Sequence, residues 1–434
     1  MVKHKVNRPS GHAEWDHRTS RCPDPPHSVP SPRGGGAPSN CQDVGHHGDK
    51  HGDRNGERTG EQEARGFRRV VRAMMVVRVL AVIGGLAVVV GTFFSAIKTV
   101  VVPRATSSVL TRVVFVATRR VFELVAHERR SFTDRDRVLA LYAPLTLVML
   151  PMVWVVLTIG GFTAIQWGVS GGSLREAFLV SGSSMLTLGT VFRRSLPAAA
   201  FTFGQAALGL VLVALLISYL PTIYGSFARR EALVGLLESR AGIPPSPVEM
   251  LTRYNRIGAL DDLDADLFVR FEQWFIELEE SHTSFGSLIF FRSPVPERSW
   301  ITAAGCVLDT SALYLSVVDR PWSPRAALCL RTGFLSLGRI ASYFKLPIDV
   351  APSATDPISV SRREFDLMYV ELMASGIPLK ADREKAWVDY QGWRVNYDKS
   401  LVLLAKLVFA PPARWSSDRD GPRITPTIMR RRGT

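Results

Sequence analysis

Charged residues are missing from two long stretches of this 434-residue chain. No Asp, Glu, Lys or Arg lies between Arg137 and Arg175, and none lies between Arg194 and Arg229. A helix needs about 20 predominantly apolar residues to cross the hydrocarbon core of a bilayer, and both stretches are longer. The sequence therefore predicts an integral membrane protein and excludes a wholly soluble chain.

Cysteine is also scarce, with four residues in the whole chain. Cys22 and Cys41 are remote from Cys306 and Cys329, and neither pair has the spacing of metal ligands or of a disulfide framework. The chain has no Walker phosphate-binding loop and no Gly-x-Gly-x-x-Gly dinucleotide motif. We therefore expect no cofactor, no metal site and no enzymatic activity.

Aliphatic residues are rare in residues 1–66, which are rich in Pro, Gly, His, Arg and Asp. Such a segment cannot bury enough apolar surface to offset the entropy lost on ordering, so we expect a disordered basic tail. Seven of the nine histidines fall in this segment, without the ligand spacing of a closed metal site. Residues 419–434 are expected to form a second basic, disordered tail.

The formal net charge of +14 is compatible with nucleic-acid binding, but the position of the charge favours another partner. Arginines cluster beside the apolar runs, and no basic-aromatic module accompanies them. Basic residues at membrane boundaries report topology and contact anionic headgroups. We therefore expect the lipid bilayer, and not nucleic acid, as the partner. The flanking residues are Arg68, Arg69, Arg72, Arg119, Arg120, Arg129, Arg130, Arg229 and Arg230.

Residues 67–137 are predicted to hold two helices. Residues 79–97 are uncharged and just long enough to cross a bilayer. After Pro103, apolar residues recur at helical spacing with arginines between them, which indicates an amphipathic helix on the membrane surface. Its apolar positions are Val109, Val113, Val116, Val121 and Leu124.

Residues 138–228 are predicted to form a long outer helix, a short helix, a turn and a long inner helix. Ser173 is a good N-cap for the short helix, with Glu176 at its third position. That helix, roughly Leu174 to Ser184, is too short to cross. Because irregular backbone at membrane depth must be covered by protein or by a water-filled cavity, we expect a re-entrant helix beside a pore.

The stretch SSMLTLGT, residues 183–190, resembles the pore signature of the potassium-channel family, in which a Thr-rich helix end leads into Thr-Val-Gly-Tyr-Gly-Asp. The resemblance implies a selectivity filter whose backbone oxygens replace part of the hydration shell of an ion. The implied filter residues are Thr187, Leu188, Gly189 and Thr190. The second half of the signature differs: Thr190, Val191 and Phe192 stand where the family has Tyr, Gly and Asp.

Residues 80–418 also resemble actinobacterial membrane proteins described as potassium-channel-like. The similar stretches are YLPTIYGSFARREALVGLLESRAGIPPSP, ESHTSFGSLIFFRSPVPERSW and APPARWSSD. A homotetramer passing monovalent cations, K⁺ among them, is implied, because one pore unit cannot surround an ion. Gly204 and Gly209 are the expected hinge positions of the inner helix. Two alternatives remain open: a helix hairpin packed through its small residues, and a non-conducting membrane scaffold or sensor built on the pore-domain fold.

The remaining chain, residues 229–418, is predicted to be a helical cytosolic domain that regulates the pore. Residues 300–318 are apolar, but Asp309 would cost about 2.5 to 3.5 kcal/mol at the bilayer centre, so we expect a buried helix of a soluble bundle. Arg292 and Arg298 are the expected partners of Asp309. A third hypothesis, a membrane-embedded hydrolase, would use His282 and Asp309, with Glu279 or Glu280 beside the histidine.

The predicted class is thus an all-α membrane protein of the plasma membrane with a cytoplasmic C-terminal domain. Channel topology places the exit of the inner helix and the arginine-rich segment 104–137 on the cytoplasmic side. Whether residues 79–97 cross fully, and on which side the N-terminal tail lies, stays open at this point. The predicted segments are residues 1–66, 67–137, 138–228, 229–418 and 419–434.

Overall fold

A computed structural model of the chain describes residues 54–102, 108–125, 132–191, 195–349 and 351–419. These residues form twelve α-helices with a π-helical turn at Leu263–Phe268 and a 3₁₀ turn at Leu288–Phe290. The predicted all-helical class is confirmed for the described residues, in which an isolated bridge joins Val318 to Leu379. The helices are α1 Arg54–Val100, α2 Val109–Val125, α3 Phe132–Ala140, α4 Tyr142–Ser170, α5 Leu174–Met185, α6 Leu196–Ala241, α7 Pro247–Arg256, α8 Val269–Ser284, α9 Trp300–Ser316, α10 Pro324–Tyr343, α11 Arg362–Ala374 and α12 Arg383–Val408.

Three helical stretches are long and apolar enough to cross a membrane. They are Gly66–Val100, Asp134–Ser170 and Leu196–Ala241, and they contain 18-residue windows with mean hydropathies of 2.5, 2.1 and 2.3. The first helix begins at Arg54, well before the predicted crossing at residues 79–97 and inside the segment expected to be disordered. Glu, Gln, Arg and Ala are good helix formers, so a helix propagates through that segment. Residues 1–53 and 420–434 of the two expected tails lie outside the described residues.

Close glycine contacts join α1 to α4. A Cβ atom on Gly85 would lie 2.5 Å from the carbonyl oxygen of Gly161, and one on Gly168 would lie 2.7 Å from the carbonyl oxygen of Arg78. Residue numbers rise along α1 as they fall along α4, so the two helices are antiparallel. Small residues that let backbones approach are typical of helix contacts within membranes. This contact supports a full crossing by α1.

Helix α2 packs against the start of α4 with one face and exposes the other. The ring of Tyr142 contacts Phe115 and Phe122, with centroid separations of 6.5 and 5.9 Å. Val109 and Leu124, from the predicted apolar stripe, are 77% and 81% exposed. An exposed apolar stripe fits a surface helix, and its contact with lipid stays a prediction.

Helices α6, α7, α10 and α12 pack around α9. Every residue from Trp300 to Ser316 is buried, so α9 is the central helix of a bundle, as its sequence predicts. The same core contains large apolar side chains from the rest of the domain, including Phe271, Phe275, Tyr390 and Trp415. This core gives the domain an interior of its own, next to the helices that are apolar enough to cross a membrane.

Candidate functional site

The short helix α5 begins as its sequence predicts. Gly171 ends α4 in the left-handed region, at φ 69°. The hydroxyl of Ser173 then accepts a hydrogen bond from the backbone N–H of Glu176 at 3.2 Å. This N-cap satisfies one of the free amides at the start of the helix. The chain can therefore reverse after α4 and start a new helix within a few residues.

Polar side chains fix α5 between α4 and α6. Ser181 donates its hydroxyl hydrogen to the carbonyl of Ile159 at 2.9 Å, and Ser184 donates to the carbonyl of Thr202 at 2.6 Å. The Gln205 amide nitrogen donates to the hydroxyl of Ser181 at 2.7 Å. The first bond joins α5 to α4, and the other two join α5 to α6 at two positions. The serines of the SGSS stretch thus position α5.

Two buried glutamines in this bundle were not singled out from the sequence. Gln166 of α4 is fully buried and donates to the hydroxyl of Thr202 at 3.0 Å. Its Oε1 atom and that of Gln205 find no hydrogen-bond partner among the described residues. A polar residue inside an otherwise apolar helix indicates a functional or structural contact. Each of the two charge-free stretches of the sequence contains such a glutamine.

The end of α5 lies near the middle of α4 and of the apolar part of α6. Met185 packs in one cluster with Leu150, Trp154 and Leu212. A Cβ atom on Gly209 would lie 2.6 Å from the Met185 carbonyl oxygen, so α6 and the end of α5 are in backbone contact there. The turn after α5 therefore starts halfway along its two neighbouring helices.

The turn itself begins with a Schellman motif. The amide of Leu188 donates to the carbonyl of Ser183 at 2.8 Å, and the amide of Thr187 donates to the carbonyl of Ser184 at 3.1 Å. Thr187 occupies the position that is usually glycine in this motif, and its φ is 55°. A β-branched residue is a genuine outlier in the left-handed region. The turn therefore holds Thr187 in a strained backbone conformation.

After the glycine the chain folds back onto α5. Gly189 has φ 65°, and the amides of Thr190 and Val191 then donate to the hydroxyl of Ser183 at 3.0 and 3.3 Å. All four predicted filter residues lie in this turn and are exposed to solvent in the single chain, Leu188 to 62%. Phe192, the last position of the compared signature, lies outside the described residues.

The two expected hinge glycines have different surroundings. A Cβ atom on Gly204 would meet no described atom within 4 Å, whereas Gly209 is packed against Met185. Helix α6 continues through both positions from Leu196 to Ala241. Gly209 therefore has a packing role that the sequence did not reveal, and hinge motion at either glycine stays a prediction.

Arg230, near the end of α6, connects that helix to the C-terminal bundle. Its side chain is 3% exposed. The guanidinium donates to the carbonyls of Leu288 and Phe291 at 3.0 and 2.7 Å, and the Arg230 carbonyl accepts from the indole of Trp274 at 3.3 Å. The segment around the 3₁₀ turn is thereby fixed to α6.

The same segment also contacts α4 and α3. The ring of Phe290 lies 5.7 Å from that of Tyr142, and Arg292 pairs with Asp136. Arg298, further along, pairs with Glu238 of α6. The pairing of Asp309 with Arg292 or Arg298 was therefore the wrong expectation, because Arg292 binds α3 and Arg298 binds α6.

Asp309 pairs instead with Arg394, in the centre of the bundle. Arg394 donates to both carboxylate oxygens at 2.6 and 2.8 Å, and Tyr397 donates to the same carboxylate at 2.8 Å. Both members of the pair are buried, Arg394 fully. Burial opposes the charge, but the Asp309 carboxylate raises the pKa of Arg394 well above its ordinary value. This network is a buried ion pair within the core.

His282 belongs to a separate hydrogen-bond network. Its Nδ1 lies 2.8 Å from the Leu278 carbonyl, which can only accept, so Nδ1 carries the hydrogen. Its Nε2 accepts from Arg230 at 3.3 Å. Within the described residues, Glu279 binds Arg339 and Glu280 binds Ser284 instead. The geometry thus does not bring together the residues of the hydrolase hypothesis.

Comparisons with known proteins add no identification. The chain is not significantly similar to any protein-family model, any curated protein or any solved structure. Among the described residues, no group of three or more His, Cys, Asp and Glu side chains is arranged to hold a metal ion. The α5 turn and its link to the C-terminal bundle are therefore the features on which a function can be argued.

Proposed function

We propose that this protein is a subunit of a homotetrameric, potassium-channel-like cation channel of the plasma membrane. In this proposal the turn of Thr187, Leu188, Gly189 and Thr190 lines the ion path. The single observation that carries it is the position of the turn: the chain reverses direction beside Trp154 and Gly209, halfway along two helices long enough to cross a membrane.

The position of the turn matters because the hydrocarbon core offers no hydrogen-bond partners to exposed backbone. Irregular backbone at the depth of the hydrocarbon core is tolerated only where protein or a water-filled cavity covers it. In the single chain, the filter turn is exposed. Copies of the same turn around an axis would cover it and would direct its oxygens towards a shared aqueous path. The proposed tetramer thus supplies the cover that the turn lacks in the single chain.

The charges of α2, α3 and α6 support the proposed topology. Arginines at the C-terminal end of α6 and around α2 and α3 fit the cytoplasmic side, with the helical bundle there as well. Because α1 is antiparallel to α4, its N-terminal end would lie on the opposite side. The contacts of Arg230, Phe290 and Arg292 would carry a conformational change of the bundle to the membrane helices.

Ion flux into liposomes tests the proposal directly. The purified chain, with its tetrameric state verified by native mass spectrometry, should pass K⁺ down a gradient. Gly189→Ala should reduce the flux, because φ at this position is 65° and L residues resist it. Gly160→Ala is the matched control, since a Cβ atom there meets no described atom within 4 Å. A verified tetramer that conducts no cation at any potential would reject the channel.

A non-conducting scaffold or sensor is the second candidate, and one observation favours it. The Ser183 hydroxyl uses the amides of Thr190 and Val191 inside the subunit, which closes the turn on itself. A closed turn suits a structural role as well as a filter. A stoichiometric partner retained by the full chain, unaffected by Gly189→Ala and accompanied by zero flux, would favour this candidate over the channel.

A further inference from the structure

A cavity of about 190 Å³ lies where α3 meets the chain that follows α12. Arg135 and Leu139 of α3 line one side, and Phe409 and Pro412 line the other. Arg292 and Asp136, which pair with each other, complete the wall. The cavity therefore combines an apolar surface with guanidinium groups.

Two guanidiniums stack on Phe409, the aromatic wall of this cavity. The guanidinium carbons of Arg119 and Arg135 lie 5.5 and 5.0 Å from the ring centroid of Phe409. Arg119 is only 9% exposed. Stacking engages the face of a guanidinium, whereas a phosphate is bound by its N–H edge, so the two contacts are compatible.

The ring of Phe409 is held in place by an unusual backbone. Its φ is 53°, in the left-handed region that favours glycine. Arg292 donates to the carbonyls of Val408 and Phe409 at 2.9 and 3.2 Å, which fixes this conformation. Strained residues supported in this way are common at ligand sites. The support makes the stacking surface rigid.

The level of the cavity matches a lipid headgroup. Val100, at the end of the apolar run of α1, packs against the cluster that contains Tyr142. Arg135 precedes Tyr142 by about two helical turns, or roughly 10 Å along the axis. If Tyr142 marks the edge of the hydrocarbon core, Arg135 lies in the headgroup layer just outside it.

We propose that this cavity binds the phosphodiester headgroup of an anionic lipid from the leaflet that faces the helical bundle. Arg135 contacts the phosphate, and Leu139, Phe409 and Pro412 contact the glycerol and the first acyl carbons. The bound lipid joins α3 to the end of α12 and so holds the bundle against the membrane helices. The site rests on the membrane topology of the proposed function, but it does not require ion conduction.

Lipid retention in native mass spectrometry provides the test. The full chain is reconstituted in phosphatidylcholine nanodiscs with or without phosphatidylglycerol and is then released from them. The wild type should retain phosphatidylglycerol selectively, and its thermal midpoint should rise in that lipid. Arg135→Gln should weaken retention roughly fivefold, the effect of one arginine near a membrane surface. Arg135→Lys, which keeps the charge but loses the planar stacking, should fall between the two.

Two controls distinguish a lipid bound in this cavity from general attraction of arginines to anionic lipid and from a soluble anion. Arg256→Gln removes an exposed arginine of α7 and should leave retention unchanged. Inorganic phosphate in detergent tests the soluble anion, and an equal stabilisation by phosphate would overturn the lipid proposal. Equal retention of phosphatidylglycerol by wild type and Arg135→Gln would also overturn it. Neither lipid retention nor the thermal midpoint depends on ion flux. The test of the lipid site therefore stays valid if the channel assay fails.

Discussion

The hydroxyl oxygen of Ser183 accepts a hydrogen bond from the backbone N–H of Thr190 at 3.0 Å. One serine in the last turn of α5 thereby holds the chain that returns from the turn. The same oxygen also accepts from the amide of Val191. The turn is consequently a closed unit within one subunit, and one side chain fixes the chain that returns from it.

Ser183→Ala should loosen this turn. Two hydrogen bonds are lost, each worth about 1 kcal/mol net, so the amides of Thr190 and Val191 should exchange with solvent roughly tenfold faster or more. Hydrogen exchange with mass spectrometry measures this. The control is Ser195→Ala, because the Ser195 hydroxyl caps no backbone group within the described part of α6. Equal exchange in both variants would show that Ser183 does not hold the turn.

Thr187→Gly should stabilise the protein. Glycine adopts the φ of 55° without the steric cost that threonine has, and the gain should be about 1 kcal/mol. Thermal unfolding in detergent measures it. Leu188→Gly, at a neighbouring exposed position whose φ is not positive, should give no gain and a small loss. If both substitutions lower the midpoint equally, Thr187 is not strained.

The two hinge candidates should respond in opposite ways to alanine. Gly209→Ala places a Cβ atom 2.6 Å from the Met185 carbonyl oxygen and should destabilise the contact between α5 and α6. Gly204→Ala meets no described atom within 4 Å and should stabilise the helix by about 1 kcal/mol. Unfolding midpoints of the two variants test this. A loss at Gly204 as large as that at Gly209 would contradict the packing argument.

Features that depend on local composition were predictable from the sequence. The apolar runs predict the long helices, because the length of a segment and its lack of charge are read directly from consecutive residues. The Ser173 cap follows from two residues three positions apart. The burial of α9 follows from the cost of placing Asp309 in a bilayer.

Features that depend on helix packing were not predictable in this way. Arg394, the partner of Asp309, is 85 residues further along the chain. The two expected partners, Arg292 and Arg298, bind elsewhere. The contact of Gly209 with Met185 likewise arises only when α5 lies beside α6. Many arginines are available to any one carboxylate, and the sequence does not state which helix faces which.

Breaking the buried pair of Asp309 and Arg394 should be severe. Arg394→Met leaves a buried carboxylate without its counter-charge and should cost about 3–5 kcal/mol of unfolding free energy. Replacing both residues, with Asp309→Leu added, should cost less, because no charge is left buried. Arg362→Gln breaks an exposed pair with Glu384 and should cost far less, because solvent screens both charges. Equal losses for Arg394→Met and Arg362→Gln would contradict this ranking.

His282 should make stability fall in acid. Burial, reinforced by the positive charge of Arg230, lowers the pKa of His282 well below its ordinary value. The unfolded chain binds a proton below about pH 6.5 while the folded chain does not, so stability is full above that pH and falls below it. The slope from this group approaches about 1.4 kcal/mol per pH unit.

His282→Gln removes that titration and should flatten the stability profile below about pH 6.5 relative to wild type. The glutamine lacks the ring contact with Trp300, so its stability should be lower at neutral pH, and the slope is the diagnostic quantity. Thr283→Val, a change at a buried neighbour that does not titrate, should lower stability at every pH and leave the slope as in wild type. Chemical unfolding at several pH values measures both. Parallel profiles for His282→Gln and wild type would mean that His282 binds its proton equally well in the folded and unfolded chains.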